Sequence, residues 1–517
     1  MIITELQQLY ATHPNVEGMC KLLKDDSVRH LYCSGLCASA ASLFSSVLVQ
    51  RAECPFVFIL GDLEEAGYFY HDLTQILGTG QVLFFPSSFR RAIKYGQKDA
   101  ANEILRTEVL SRLQKGEEGL CVVTYPDALA EKVVSRKELG DKTLKLHAGE
   151  KVDMDFVTEV LRSYGFEYVD YVYEPGQYAV RGSIIDVFSF SSEFPFRIDF
   201  FGDEVESIRT FEVESQLSRE KKEEIVIVPD LSRSLEQGGN GGMVSFLDFL
   251  RPDTLLAMRD FLWLRERIQA VHDESLTAQA IAACEAEENG AISLEGKLID
   301  GGEFTLRALD FRRMEFGTKP TGTPDATVTF STVAQPIFHK NFDLVAESFR
   351  DYLSRNYTLY ICSDSLKQTD RIRAIFEDRG DNISFTPVER TLHEGFADDT
   401  LHLCIFTDHQ LFDRFHKYNL KSDKARSGKV ALSLKELNQF TPGDYVVHTD
   451  HGVGRFTGLI RIPNGDTTQE VMRLVYQNDD VVFVSIHSLH KVSKYKGKEG
   501  EAPRLNKLGT GAWEKLK

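Results

Sequence analysis

Apolar and polar positions alternate in two ways along the first 130 residues of the chain. Short apolar runs, which favour buried strands, are separated by stretches with helical periodicity. The runs lie at residues 30–33, 56–60, 82–85 and 120–125. Strands that alternate with helices predict a parallel sheet covered by helices on its faces. We therefore expect an α/β domain at the beginning of the chain.

A second pattern begins near residue 145, where a predicted helix at residues 153–164 is followed by short strands and turns. The turns are indicated by Glu174-Pro175-Gly176 and by the stretch at residues 189–195. One helix followed by several strands predicts an inserted α+β domain rather than a continuation of the first sheet.

The strand at residues 196–201 of this inserted domain has two different faces. Its period of two sends three apolar residues to one face and Arg197, Asp199 and Phe201 to the other. Arg181 lies in the preceding strand, and hairpin pairing would bring it to the same surface. An aromatic ring exposed beside arginine side chains is typical of a protein interface. The alternative is that Phe201 caps the core at the strand end.

The remainder of the chain contains three further sections. A strand is predicted at residues 225–228, and helical periodicity follows through residue 272. This pattern indicates a section that completes the first sheet. A compact α/β unit follows, without a group of side chains that would carry out chemistry. Its strands are predicted at residues 359–362, 383–385 and 401–406, and its helix at residues 366–378. Short strands between residues 441 and 495 predict a small β-barrel, whose open edge another protein could extend by β-augmentation.

The first predicted strand runs into a loop and a helix, which is where a nucleotide-binding fold keeps its phosphate loop. Such a loop needs glycines that let backbone N–H groups wrap the phosphates, a lysine, and a hydroxyl for Mg²⁺. Alanine stands at the lysine position, and this removes the main electrostatic anchor for a triphosphate. We predict a degenerate, inactive loop and no catalytic residues. The loop consists of Gly35, Ala38, Ala40, Ala41 and Ser42.

Charge restricts the choice of partner. The chain has 60 Lys and Arg residues against 78 Asp and Glu residues, a formal net charge of −18. Phosphate affinity depends on clustered Lys and Arg, so a protein partner is a better expectation than DNA for the surface as a whole. The basic tail at residues 491–517 is the exception, and it is either a segment of separate purpose or a solvated linker.

Membrane, disulfide and metal classes are not favoured. No apolar stretch approaches the ~18 residues of a membrane span, and the N-terminus lacks a secretory signal, so we expect a cytoplasmic protein. The eight cysteines are scattered without CxxC spacing, which is typical of reduced thiols. One turn contains His448, Asp450 and His451. Polar residues are common in turns, and three potential ligands on one tight turn without a distant fourth are not typical of a metal site. We expect no metal, and a monomer, because no coiled-coil pattern is present.

Two stretches resemble a known family. Residues 174–216 closely resemble the domain shared by the excision-repair protein UvrB and the bacterial transcription-repair coupling factors (Mfd); they contain E-P-G-Q-Y-A-V-R-G-S-I-I-D-V-F and F-P-F-R-I-D-F-F-G-D-E-V-E-S-I-R-T-F. Residues 442–495 resemble the RNA-polymerase-interaction domain of the same factors, a Tudor-like barrel related to CarD; they begin P-G-D-Y-V-V-H-T-D-H-G-V-G-R-F. Only the coupling factors carry both domains in this order, so the chain resembles their N-terminal portion.

The resemblance implies a multidomain α/β architecture. A degenerate RecA-like α/β module would carry an inserted α+β UvrA-binding domain, followed by a further small α/β domain and a C-terminal Tudor-like β-barrel. The implied boundaries are residues 1–140 and 218–320 for the two parts of the UvrB-like module, 141–217 for the insert, 321–430 for the small domain of unknown role, 437–496 for the barrel, and 497–517 for the start of a linker helix.

The resemblance also implies what this chain lacks. In the family, a double RecA-like motor follows the barrel, hydrolyses ATP and moves along DNA. The sequence stops at Lys517 without that motor, so ATP, Mg²⁺ and most DNA contact are expected to belong to the missing part, and this chain is expected to need no cofactor and to be no enzyme. The hairpin with which UvrB probes damaged DNA is also missing between Pro86 and Asn102.

Two sets of binding residues follow from the resemblance. Arg181, Arg197 and Phe201 match the positions through which family members bind UvrA. Strand pairing with the β subunit of RNA polymerase is expected at residues 471–476, where one face carries the candidate residues Met472, Leu474 and Tyr476 and the other carries Val471, Arg473 and Val475. Leu474 is the best single candidate, although the sequence does not decide which face is the outer one.

The resulting hypothesis is a recruitment scaffold that binds RNA polymerase stalled at DNA lesions and brings UvrA to it for nucleotide excision repair. Holding two partners on one chain raises their effective concentration. Two alternatives remain: the altered loop still binds a nucleotide, or the α/β modules chiefly restrain the motor of the full protein.

Overall fold

The computed structural model describes residues 1–88, 100–213, 215–231, 243–275, 296–414, 416, 418, 441–448, 450–464, 467–485, 492–495 and 505–507 of the chain. These residues form two compact units. One consists of Met1–Asp141 and Leu231–Leu420, and the other of Lys142–Asp230 and Lys421–Lys517. Within the described residues, no helix is both long enough and apolar enough to cross a membrane. Most of the predicted basic tail lies outside the described residues.

The first unit contains helices on either side of its strands. Its helices are α1 (Ile3–Tyr10), α2 (Pro14–Lys24), α3 (Ala40–Arg51), α4 (Leu63–Leu77), α5 (Ala100–Lys115), α6 (Pro126–Ala130), α7 (Arg136–Asp141), α9 (Phe261–Ser275), α10 (Gly301–Ala308), α11 (Phe342–Ser354), α12 (Leu366–Asp378) and α13 (Asp408–Leu411). Its strands are β1 (His30–Ser34), β2 (Phe56–Ile59), β3 (Val82–Phe85), β4 (Cys121–Thr124), β13 (Leu255–Met258), β14 (Arg312–Glu315), β15 (Ala326–Thr329), β16 (Thr332–Ala334), β17 (Thr358–Ser363), β18 (Thr386–Glu389), β19 (Phe396–Asp398) and β20 (Leu403–Thr407).

Among its described residues, the second unit has one α-helix, α8 (Met154–Ser163), one short 3₁₀ helix (Gln477–Asp479), and otherwise strands. Its first group of strands is β5 (Leu144–His147), β6 (Glu167–Tyr168), β7 (Gln177–Arg181), β8 (Ile184–Val187), β9 (Phe196–Phe201), β10 (Glu204–Phe211), β11 (Ser218–Lys222) and β12 (Glu224–Ile227). Its second group is β21 (Tyr445–His448), β22 (Gly452–Asn464), β23 (Thr467–Val475), β24 (Val481–Ser485) and β25 (Val492–Lys494).

Seven strands of the first unit form a parallel sheet in the order β15-β1-β14-β13-β2-β4-β3. Strands β1 to β4 coincide with the four apolar runs, so the predicted parallel α/β arrangement is confirmed. Every residue of β2, β3 and β4 is buried, because helices cover both faces of a parallel sheet. The section predicted to complete this sheet does contribute to it, through β13 and β14. Its strand at residues 225–228 does not, because β12 pairs antiparallel with β5 in the other unit. Strand β15 adds the outer edge beside β1.

A second sheet of the first unit has the order β16-β19-β20-β17-β18, and the helices α11 and α12 pack on it. Phe349, Phe376 and Phe406 lie in its core. Helix α12 has the predicted bounds, whereas the strand predicted at residues 383–385 begins later, at Thr386. The sequence predicts a separate domain from residue 321. In the structure β15 pairs with β1, and residues up to Leu420 lie in the same compact unit as the parallel sheet.

The inserted part of the second unit is a six-stranded sheet with the order β11-β10-β9-β8-β7-β6. Helix α8 covers one face and places Val157 and Leu161 in the core beside Ile198. Asp153 caps this helix by accepting a hydrogen bond from the Asp155 N–H at 2.9 Å. The sequence predicts that the insert ends at residue 217. In the structure the compact unit continues to Asp230, because β12 pairs with β5.

Residues 441–495 contribute an antiparallel sheet with the order β24-β23-β22-β21-β25. The prediction that this stretch consists of strands is confirmed. Val446, Phe456 and Val484 form part of the core of this C-terminal sheet. The turn at residues 477–480 contains Asn478 in the left-handed region, with φ 66°.

Candidate protein-binding surfaces

The charged face is the face of the inserted sheet that lies opposite the core under α8. The backbone register places Asp186 of β8 beside Arg197 of β9, and Arg197 beside Arg209 of β10. Arg181 ends the neighbouring strand β7, opposite Ile184. The sequence predicts a single strand before β9, with Arg181 in it. The structure has the hairpin β7–β8 at this place, with Gly182 at φ 62° in the turn, and this pairing brings Arg181 to the charged face.

Asp186 joins two of the three predicted UvrA-binding residues. Its carboxylate is fully buried and accepts two hydrogen bonds from the Arg197 guanidinium, from Nε at 2.8 Å and from Nη2 at 2.9 Å. Nη2 of Arg181 donates to the same carboxylate. A bidentate arginine–carboxylate pair fixes orientation as well as position. Asp186 therefore holds both arginines in one arrangement.

Exposure divides the three predicted residues into different roles. Phe201 is 79% exposed. The side chain of Arg181 is 35% exposed, whereas that of Arg197 is only 14% exposed. Arg197 also donates to the Gln216 carbonyl at 3.1 Å and lies over the ring of Phe211 at 4.6 Å. Phe201 and Arg181 are thus available to a partner, while Arg197 mainly orders the surface from below.

A second ion pair on the charged face was missed in the sequence analysis. Arg209 donates to Asp199, and Ser207 donates to the same carboxylate at 3.0 Å. Asp199 lies between Arg197 and Phe201 on β9, so it neutralises positive charge along the strand. The signal was present in the strand period: once the hairpin is recognised, alternation places Asp186, Asp199 and Arg209 on the same face.

The C-terminal sheet corrects the predicted polymerase-binding side chains. Met472, Leu474 and Tyr476 are buried in its core together with Phe456. Their side chains are therefore not available for contact with another protein. Strand β23 is also paired on both sides, with β22 and with β24, so its backbone has no free edge along residues 471–475.

The opposite face of β23 carries an exposed pair of side chains. Arg473 is exposed and lies opposite Phe483 of β24, which is 51% exposed. Among the described strands, β24 forms one edge of the sheet. An arginine beside an aromatic ring at a strand edge is a combination that protein interfaces favour.

The degenerate phosphate loop is occupied by contacts within the protein. Ser39 and Ser42 donate their hydroxyls to the buried carboxylate of Asp72 on α4, at 2.6 and 2.7 Å. The same carboxylate accepts the backbone N–H of His393 at 2.7 Å. Gly35, at φ 80°, approaches Phe330 so closely that an added Cβ would lie 2.0 Å from the Phe330 carbonyl oxygen. The hydroxyl at position 42, the remaining ligand of a phosphate loop, is thus bound to Asp72.

A cavity of about 310 Å³ lies beside this loop, next to Ala38 and Ala41. Its lining is strongly acidic and includes one arginine. The charged lining residues are Asp62, Glu64, Glu65, Asp72, Glu394 and Arg259. Arg259 is paired with Glu65, and burial raises the pKa of Asp72 to about 6. Carboxylates repel a triphosphate, so the electrostatics of this cavity are opposite to those of a nucleotide site.

Two parts of the chain match known families. Residues 144–232 match the UvrB interaction domain, and residues 440–496 match the CarD-like/TRCF RID domain. The chain is also 24% identical to the transcription-repair-coupling factor of Staphylococcus aureus (strain bovine RF122 / ET3-1) over 94% of its length, and 23% identical to that of Bacillus subtilis (strain 168) over 95%. These matches cover 47% of each relative, so the chain spans about half the length of the curated relatives it matches.

Proposed function

From the similarity of this chain to the N-terminal portion of transcription-repair-coupling factors, including a UvrB interaction domain and a CarD-like/TRCF RID domain, we propose that it is a recruitment scaffold. It binds UvrA through the charged face of the inserted sheet and RNA polymerase through the C-terminal sheet, which we propose is a Tudor-like barrel. In this way it brings excision repair to polymerase stalled at a lesion. The two binding steps require no chemistry from this chain.

The observation that carries the UvrA assignment is Phe201. A phenylalanine that is 79% exposed at a strand end beside ordered arginines is unfavourable for an isolated domain and suits an interface anchor. Arg181 supplies an accessible positive charge near it, fixed by the buried carboxylate of Asp186. Phe201 lies four positions after Arg197, so the surface extends for ~13 Å along β9.

The test measures affinity for purified UvrA with the whole chain and with Phe201→Ala and Arg181→Ala. Each variant should lose at least about 2 kcal/mol of binding free energy, roughly thirtyfold in Kd. Phe156→Ala and Arg162→Ala are matched controls, since both residues lie exposed on α8, away from the charged face. Equal affinity of wild type and Phe201→Ala would contradict the assignment, as would an equal loss in the two controls.

For polymerase, we propose that the β subunit adds a strand at the edge of β24, with Arg473 and Phe483 as side-chain contacts. This replaces the expected contacts of Met472, Leu474 and Tyr476, because those side chains form the core of the sheet. An edge strand offers unpaired backbone groups, and the exposed pair beside it supplies specificity.

Binding to RNA polymerase core enzyme distinguishes this placement from others. Phe483→Ala and Arg473→Ala should each weaken binding at least tenfold, which corresponds to about 1.4 kcal/mol. Arg455→Ala is the control, because Arg455 is exposed on β22, two strands away from β24. A larger loss with Arg455→Ala than with Phe483→Ala would place the contact at β22 and refute the β24 edge.

We further propose that the chain binds no nucleotide. The acidic cavity and the hydroxyls engaged by Asp72 support this. Calorimetric titration should detect no binding at millimolar ATP, and Ala41→Lys should not restore it because the acidic lining remains. If ATP bound wild type with a Kd in the micromolar range, the nucleotide-dependent alternative would replace this proposal.

A further inference from the structure

Three histidines that lie within 24 residues of one another in sequence converge in the first unit. His393 precedes β19, His409 lies in α13, and His416 follows α13. One ring nitrogen from each lies within 4.8 Å of the other two. A fourth histidine, His71 of α4, is distant in sequence and has its ring centroid 5.0 Å from that of His416. The sequence indicated no chemistry in this region, because the meeting of these rings depends on the fold.

Unsatisfied nitrogen atoms distinguish this histidine cluster from a structural core. Nδ1 of His393, Nδ1 of His416 and Nε2 of His71 are buried and have no hydrogen-bond partner among the described residues. Native proteins usually pair such atoms, because an unpaired buried polar atom costs free energy. Three of them at one place indicate a ligand that accepts several nitrogen lone pairs at once.

Neighbouring groups hold the rings in position. Nε2 of His409 lies 2.7 Å from the backbone carbonyl oxygen of His393, and a ring that donates to a carbonyl in this way keeps a lone pair on Nδ1. The ring of Tyr68 stacks on His393 at 3.5 Å, and its hydroxyl donates to the His416 carbonyl at 2.7 Å. The contact between a ring nitrogen and a backbone carbonyl is one that metal-ligating histidines commonly make.

A carboxylate lies beside the cluster. Asp408 Oδ1 is 3.9 Å from Nδ1 of His409, and the other oxygen of this carboxylate is paired with Nη2 of Arg414 at 3.0 Å.

We propose that His393, His409 and His416 bind one divalent transition-metal ion of the zinc class, with His71 as the nearest additional nitrogen ligand. Imidazole is a preferred ligand for Zn²⁺, Co²⁺, Ni²⁺ and Cu²⁺. Zinc–nitrogen bonds of about 2.0–2.1 Å place tetrahedral ligand atoms about 3.4 Å apart, so the rings must close by at most about 1.4 Å. The ring of His409 stacks on His416 at 4.4 Å and turns out of this stack on binding. Both of its nitrogens belong to one rigid ring, so its contact with the His393 carbonyl oxygen changes at the same time.

A metal at this place would connect three segments of the first unit. The backbone N–H of His393 donates to Asp72 of α4, and that of Glu394 donates to Ser39 beside the degenerate phosphate loop. His416 belongs to the segment that follows α13. The ion would therefore act as a structural clip, and it would hold residues 393–394 over the loop.

The first test uses the untagged whole chain, stripped with a chelator and titrated with Zn²⁺ in competition with a chromophoric chelator. We expect one equivalent to bind, and Co²⁺ in its place to give the visible absorption of a tetrahedral complex. X-ray absorption of the zinc complex should show at least three imidazole ligands at about 2.0–2.1 Å. Absence of stoichiometric binding, or a zinc shell with fewer imidazoles, would overturn the proposal.

The second test identifies the residues. His393→Gln and His416→Gln should each weaken zinc binding at least about 100-fold, and zinc should no longer raise their thermal midpoints. His339→Asn is the control, because His339 is an exposed histidine of the same unit whose φ of 49° asparagine tolerates. If folded His393→Gln and His416→Gln bound zinc as tightly as His339→Asn, the site would lie elsewhere. If a variant did not fold, the ligand count from X-ray absorption of the wild type would still decide.

Discussion

Asp186→Asn tests whether one buried carboxylate holds the charged face together. The substitution keeps the size of the side chain and removes the negative charge that the guanidinium groups of Arg181 and Arg197 share. The two arginines differ in their environment: the side chain of Arg197 is 14% exposed and that of Arg181 is 35% exposed. Only Arg181 can therefore turn easily into solvent when its partner is lost.

The expected magnitude follows from these environments. Removing one partner of a buried ion pair costs about 3–5 kcal/mol, whereas a pair near the surface contributes about 0.2–1 kcal/mol. Arg197 is close to the buried case and Arg181 to the exposed one. We expect Asp186→Asn to reduce the local free energy of unfolding by about 3–5 kcal/mol, and Arg181→Ala to reduce it by at most about 1 kcal/mol.

Hydrogen–deuterium exchange of the whole chain measures this locally. At about 1.36 kcal/mol per tenfold change, peptides from β8 and β9 should exchange roughly two to three and a half orders of magnitude faster in Asp186→Asn. Peptides from β13, in the other compact unit, provide the internal control. A change of less than tenfold in β9, or an equal change in Arg181→Ala, would refute the idea of a buried clamp.

Three further predictions concern stability. Phe201→Ala should change the free energy of unfolding by less than about 0.5 kcal/mol, whereas Phe200→Ala should lower it by about 3–5 kcal/mol, because it removes a buried ring from the core on the other face of β9. Urea unfolding followed by exchange of the β9 peptides measures both values. Similar values for the two variants would mean that the strand faces are wrongly assigned. Gly18→Ala should stabilise the first unit by about 0.5–1 kcal/mol, because alanine favours the helix α2 and no atom lies within 4 Å of the new methyl group. Gly35→Ala should lower the thermal midpoint, because its methyl group would clash with Phe330. A rise in midpoint for Gly35→Ala would contradict the loop geometry. Because burial raises the pKa of Asp72 to about 6, above its value of about 3.9 in an unfolded chain, the folded protein takes up a proton that the unfolded chain does not as pH falls through 6 towards 4. The stability of wild type relative to Asp72→Asn should therefore rise over this interval; a constant difference in thermal midpoint from pH 7 to pH 5 would show that Asp72 has no raised pKa.

Local patterns predicted much of the secondary structure. Fully buried parallel strands such as β3 are continuous apolar runs, and β9 alternates strictly, so both have a sequence signal that does not depend on distant residues. The hairpin between β7 and β8 was missed, although Gly182 marks its turn. The segment that contains β7 and β8 is rich in apolar residues and therefore resembles a single strand, although a hairpin turn requires only two residues. The position of Arg181 depends on that turn.

Pairing between distant segments was less predictable. The residues of β12 are compatible with either sheet. Its partner β5 lies about 80 residues earlier, so no local feature of the sequence selects between the two sheets. For the same reason, the sequence left the outer face of β23 undecided. Both of its faces carry apolar residues, and only the core formed with Phe456 and Val484 shows that Leu474 points inward.

By itself, the sequence determined the kinds of elements and the outer position of Arg197 and Phe201 on their strand. These follow from periodicity and residue type, which act over a few neighbouring positions. Only the tertiary structure decided that Asp186 orders two arginines, that Met472, Leu474 and Tyr476 are buried, and that His393, His409 and His416 meet. Contacts of this kind depend on which segments the chain brings together across long separations, and burial and ion pairing are properties of those contacts.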